Sequence, residues 1–203
     1  MNKTLLAFSL SLLTLSAAQA SEWGYGNDKH GPEHWGEIAK DCATTKNQSP
    51  INIDNPADAK LEALNLSYTG QVIGLTNNGH TLQAQVNGRN SFTIDGELAV
   101  ISVMFDAGDQ NAALSKLINA IPQENQTTFF KDTFEINDLL PKTANYYRFN
   151  GSLTTPPCSE GVRWFVLKDT QTLSKDQAAK LMEVMGQNNR PLQPLNARVV
   201  LSN

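Results

Sequence analysis

Short runs of alternating apolar and polar residues, separated by turn residues, fill most of this chain. From Leu64 onward the alternation predicts strands around Leu66 and Tyr68, and then over Val72, Ile73 and Leu75. Asn77-Asn-Gly is a tight-turn signal, and residues 80–86 resume the alternation as a further strand. Asn87-Gly88 and Asp95-Gly96 bracket a short strand over residues 91–94. Residues 98–105 form a continuous apolar run, which predicts a buried central strand. Tyr146, Tyr147 and Phe149, and later Val162, Trp164, Val166 and Leu167, suit two pleated, half-buried strands. The loop between them holds Pro156 and Pro157, which cannot donate backbone hydrogen bonds and fix φ near −65°, so it is stiff.

Two stretches change to the helical period. The first spans residues 110–121, with Asp109 as its expected cap and Leu114, Leu117 and Ile118 on one face. The second opens at a capping box, Ser174 with Gln177, and carries a stripe of Ala178, Leu181, Met182 and Met185 before Gly186 stops it. No internal repeat or low-complexity segment interrupts the pattern. The expected fold is mainly β (α+β), a single domain around a twisted, mostly antiparallel central sheet with a few surface helices.

Composition adds a compartment. Residues 1–20 have the form of a secretory signal peptide: Lys3, a short apolar core, and Ala18-Gln19-Ala20 before the expected cut. That core is too short to span a bilayer. The remaining 183 residues (203 − 20) suit one domain over 21–203, periplasmic or secreted, with no membrane association after cleavage. Losing Lys3 leaves a net charge of −5 (15 − 20) and no basic patch, which argues against nucleic-acid binding. Cys42 and Cys158 are the two cysteines of the chain. In an exported protein, pairing them is the economical expectation, tying the N-terminal segment to the Pro156-Pro157 loop.

Five ordered segments carry a family resemblance. They are Trp23-Gly-Tyr25 with Gly31-Pro-Glu-His-Trp35; Asn47-Gln-Ser-Pro-Ile51; Asn77-Asn-Gly-His-Thr81; residues 146–164 with Leu153-Thr-Thr-Pro-Pro-Cys158; and Asn188-Asn-Arg-Pro-Leu-Gln-Pro194. Together they resemble the α-class carbonic anhydrases from about Trp23 to the C-terminus. The resemblance implies reversible CO2 hydration by zinc-bound hydroxide on three histidines, with metal binding lowering the water pKa to about 7. It also implies roles for matching positions. His80 matches a proton shuttle, Thr154 the threonine that orients the hydroxide, and Tyr25 a tyrosine of the water network. Val100, Leu153, Thr155 and Trp164 match the substrate side of the pocket. The family's secreted members often carry the Cys42–Cys158 pair.

The three zinc ligands of the family have no counterpart here. They come from a His-x-His strand and a Glu-x-His-x-Val-His strand. This chain has three histidines, His30, His34 and His80, and no His-x-His pair. Residues 92–96 resemble the segment that leads into the first of those strands. Residues 98–105 resemble the one that follows the second, and Glu97 joins them directly. The resemblance therefore implies the family fold minus two central strands, truncated between 97 and 98. No metal and no cofactor are expected for this chain, zinc being the family's. CO2 and bicarbonate are partners only if activity remains, and oligomeric state stays open.

Three readings follow: a family member without zinc or catalysis; a working carbonic anhydrase with an improvised metal site or an incomplete sequence; and an unrelated interaction domain. Residues 98–105 are expected to close part of the gap by pairing with the strand that begins near His80.

Overall fold

The structure is a computed structural model that describes residues 23–64, 66–88, 90–91, 98–141 and 145–203. The expected signal peptide, most of the strand expected over 91–94 and the junction at Glu97 lie outside the described residues. No helix among the described residues is long and apolar enough to cross a membrane.

Two one-turn helices open the domain, α1 (Trp35–Ile38) and α2 (Asp41–Thr44), after a 3-10 turn at Pro32–His34. The strands of the first half are β1 (Ala57–Asp58), β2 (Ser67–Tyr68), β3 (Gln71–Asn77), β4 (Leu82–Val86), β5 (Asn90–Ser91), β6 (Ala99–Ser102) and β7 (Phe105–Ala107). Helix α3 (Ala112–Ile118) follows. Then come β8 (Gln126–Glu135), β9 (Tyr146–Ser152), β10 (Glu160–Leu167) and β11 (Gln171–Leu173). Helix α4 (Lys175–Met185) and β12 (Leu201–Ser202) end the chain.

Strands dominate and most pairings are antiparallel, as the alternation predicts. Among the described residues they form two main sheets. One runs β1-β12-β9-β10-β6 and the other β4-β3-β8. The β9–β10 ladder is antiparallel, placing Trp164 opposite Phe149. Alternation sends Phe149 and Trp164 to one face, against Ile51 and Val200, and Tyr146, Phe165 and Leu167 to the other. Leu61, Leu64 and Ile101 complete that second cluster. The smaller sheet has its own core, in which Val72 and Phe134 pack against α3 through Ala113 and Leu117.

Four expectations need correction, three of them within single elements. Residues 98–105 are not one buried central strand. β6 pairs parallel with β10 as the last strand of its sheet, and the chain then breaks at Val103 and Met104. β7 leaves to pair with β11, and Leu98 and Met104 are 55% and 52% exposed. A run without polar residues does not distinguish an edge from a centre. Second, Asn111 rather than Asp109 caps α3, its side chain accepting from the Leu114 N–H at 2.9 Å. Third, the capping box of α4 forms as expected, but Met182 points to solvent at 56% exposure and Ala178 is exposed. The buried residue of that helix is Gln177, whose amide bridges to Asn111 and Ser115 of the α3 entry.

The gap between the sheets does not close. β6 pairs with β10 and β4 pairs with β3, and no described strand joins β4 to β6. Pairing with β10 holds β6 away from β4. Between them lies a cavity of about 850 Å³, floored by α3 and α4.

Candidate functional site

An aromatic group at the N-terminal end of the domain holds two of the expected site residues. Trp35 is fully buried, and its indole N–H donates to the carbonyls of Gly24 (3.1 Å) and His30 (3.0 Å). Those bonds fold residues 23–30 back over α1. Trp23 meets Trp35 and Tyr25 edge-on, with ring centres 5.4 and 5.5 Å apart. Its face stacks on the His80 imidazole at 4.0 Å. The turn between β3 and β4 fixes His80: Asn78 Oδ1 accepts from the backbone N–H of both His80 and Thr81. Gly79 there has φ +83°, which suits glycine. Asn188 Nδ2 donates to the His80 carbonyl at 3.3 Å. Burial raises the Tyr25 phenol above its ordinary value by penalising the phenolate.

The Pro156-Pro157 loop is anchored from beneath. Cys42 and Cys158 form the expected disulfide, with Cα atoms 5.0 Å apart. Gln48 Nε2 donates to the Cys158 carbonyl at 3.0 Å. Ser49 and Ser152 exchange two hydrogen bonds, each hydroxyl accepting from the other residue's backbone N–H. Arg190 is buried at the centre of this network. It donates to Gln48 Oε1 (2.7 Å) and to the carbonyls of Ser49 (2.9 Å) and Cys42 (3.2 Å), and its guanidinium lies over the Trp35 ring. Burial lowers the Arg190 pKa, so hydrogen bonds rather than solvent stabilise its charge.

The remaining positions fall into two apolar spaces that share Trp164. Thr154 lines a groove of about 270 Å³ with Trp164, Phe149, Met104 and Leu192. Val100, opposite Trp164 in register, lines the 850 Å³ cavity with it. Leu153 and Thr155 are half-buried loop residues lining neither space, and the Thr155 carbonyl accepts from the Cys158 N–H. Tyr25 and His80 thus meet through Trp23, while Thr154, Val100 and Trp164 gather around β10.

A catalytic zinc needs three protein ligands and an open position. Among the described residues the donors do not fit that need. His80 is stacked on Trp23, and His34 Nδ1 lies 3.1 Å from Glu37 Oε1 at the surface. Among the described residues, no group of three or more His, Cys, Asp or Glu side chains is placed to hold a metal ion.

Sequence reasoning overlooked Arg190 as the keystone of the anchor, although its motif was in view. A charged residue in a Pro-rich C-terminal segment reads as surface. It also overlooked Leu82, Leu181 and Met185 as cavity walls, because their apolar character reads as ordinary core.

The family model described as eukaryotic-type carbonic anhydrase matches residues 30–97 and 92–203. The carbonic anhydrase of Klebsiella pneumoniae is 39% identical over 240 residues, covering 97% of this chain and 96% of the relative. That of Pectobacterium carotovorum is 37% identical over 242 residues, covering 98% of each. The solved α-carbonic anhydrase of Photobacterium profundum is 46% identical with a TM-score of 0.85, covering 89% of this chain and all of the other.

Proposed function

The chain belongs to the eukaryotic-type carbonic anhydrase family, and we propose that it is an exported, non-catalytic member whose zinc-binding segment is missing. The observation that carries this reading is the histidine inventory. Three histidines serve the whole chain, and none stands in a His-x-His pair. Two features of the comparisons support a missing segment. The 242-position alignment with the Pectobacterium carotovorum relative exceeds this chain by at least 39 positions (242 − 203). The family match also breaks into two pieces that meet at residues 92–97. The disulfide supports export, because such bonds persist in oxidising compartments.

Without a metal-activated hydroxide the surviving residues have nothing to act on. Thr154 can orient a hydroxide but not generate one, and His80 can move a proton only if one is released nearby. Val100 and Trp164 remain as apolar walls. The protein keeps the family's scaffold as a binding surface.

Stopped-flow CO2 hydration with added zinc tests the reading. No turnover above buffer is expected, and Thr154→Ala and His80→Ala should leave that result unchanged. Turnover that a sulfonamide blocks or a chelator removes would overturn it.

A further inference from the structure

Three Asn-Gly pairs occur in the sequence, at 78–79, 87–88 and 150–151. Each carries the parts of an intramolecular acyl transfer. The amide nitrogen of the glycine can attack the side-chain carbonyl carbon of the asparagine, closing a cyclic imide and expelling ammonia. Glycine has no side chain to shield that nitrogen. Water then opens the imide at either carbonyl, giving aspartate or isoaspartate. The sum is asparagine plus water to an acid plus ammonia, with no oxidant or reductant.

The fold treats the three pairs differently. Asn150 and Gly151 are held in β9, paired with Arg163 and Val162 of β10, and Gly151 is buried. In the turn before β4 both reacting groups are engaged. The Gly79 N–H donates to Asn77 Oδ1 at 3.1 Å. Asn78 Oδ1 accepts from the N–H groups of His80 and Thr81 at 3.0 and 2.8 Å. Imide closure at either pair requires these bonds to open first.

Asn87 and Gly88 lie at the other end of the β3–β4 hairpin, and both are exposed. Gly88 has φ +81°, and its N–H makes no hydrogen bond among the described residues. Asn87 is held from the opposite strand. Its N–H donates to the Gln71 carbonyl at 3.0 Å, and its Oδ1 accepts from the Gln71 N–H at 2.9 Å. That second bond polarises the carbonyl under attack and donates to the oxygen on which negative charge develops.

We infer that Asn87-Gly88 is a site of spontaneous self-modification, in which the Gly88 nitrogen displaces the Asn87 side-chain amide. Base in the solvent removes the Gly88 amide proton and the N–Cγ bond forms. The Cγ–Nδ2 bond then breaks as Nδ2 takes a proton from water. Hydrolysis of the imide follows. Aspartate keeps an acceptor for the Gln71 N–H, so that product adds a negative charge and preserves the pairing. Isoaspartate lengthens the main chain by a methylene and shortens the side chain, moving the acceptor out of register with Gln71. The inference goes beyond the non-catalytic reading and holds whether or not the chain binds zinc.

The full oxidised chain is aged in mildly alkaline buffer, and peptides are mapped by mass spectrometry over time. A parallel sample is aged in guanidinium chloride. In the native protein, conversion at Asn87 is expected to be about tenfold or more faster than at Asn78 or Asn150, which must open locally before they react. In guanidinium chloride the three rates should converge. The Asn87 rate should rise with pH, and both aspartate and isoaspartate should form. Equal rates at the three native sites, faster conversion at Asn78 or Asn150, or aspartate without isoaspartate would each overturn the inference. Asn87→Asp should unfold at the same temperature as the parent chain; a marked drop would contradict the retained Gln71 pairing.

Discussion

Arg190 ties several segments together through one buried guanidinium. It joins the Gln48-Ser49 segment, the disulfide and the Trp35 ring. Arg190→Ala leaves two buried acceptors and one part-buried acceptor without their donor and should cost about 3 kcal/mol, read as a shift in the urea midpoint. Gly151→Ala should also destabilise: an added Cβ would lie 2.1 Å from Ser49 Oγ and 3.1 Å from Trp164 Cδ1, breaking the Ser49–Ser152 exchange. The buried tyrosines set an alkaline limit. Desolvation raises the phenols of Tyr25, Tyr68 and Tyr146, so the folded state holds their protons more tightly than the unfolded chain. Their contribution to stability is fully present below the ordinary tyrosine value of about 10 and is lost as pH rises through the folded values. A spectrophotometric titration should show native tyrosinate forming at higher pH than in urea, with the urea midpoint falling over the same range.

At the scale of elements, the sequence was most legible where one short motif decides the outcome. Ser174 and Gln177 specify the capping box, and Asn77-Asn-Gly specifies the turn before β4. The alternation in residues 146–149 and 162–167 correctly yields β9 and β10. It was least legible where packing rather than pattern decides. Asp109 and Asn111 are both competent caps, and only the path of the chain selects Asn111. Asn111→Ala should therefore cost about 1 kcal/mol while Asp109→Ala costs little, as read by thermal unfolding. The apolar run over 98–105 carries no sign that β6 would stay with β10 while β7 joins β11. Among the candidate site residues, the motifs gave Tyr25 and His80 separate roles, and the structure brings the two near each other. They did not reveal that Trp23 mediates their contact, because an aromatic stack across 57 positions has no local signature.

At the scale of the molecule, the fold is that of the family, and its interior holds a large cavity. Close-packed cores gain dispersion contacts that an 850 Å³ space forgoes. The protein should unfold at a lower temperature than the Photobacterium profundum relative, measured side by side under oxidising conditions. Reduction should lower this protein's own unfolding temperature further, since the Cys42–Cys158 bond closes a loop of 116 positions, worth roughly 4–5 kcal/mol in the chain-entropy account.

The central claim is that the scaffold persists without its metal. Zinc stoichiometry tests it most directly: the oxidised protein is equilibrated with excess zinc, desalted and measured by elemental analysis beside the Photobacterium profundum enzyme. Near-zero retained zinc is expected for this chain, whether or not His80 is replaced by alanine. One retained zinc per chain, lost on chelation and on His80→Ala, would contradict it.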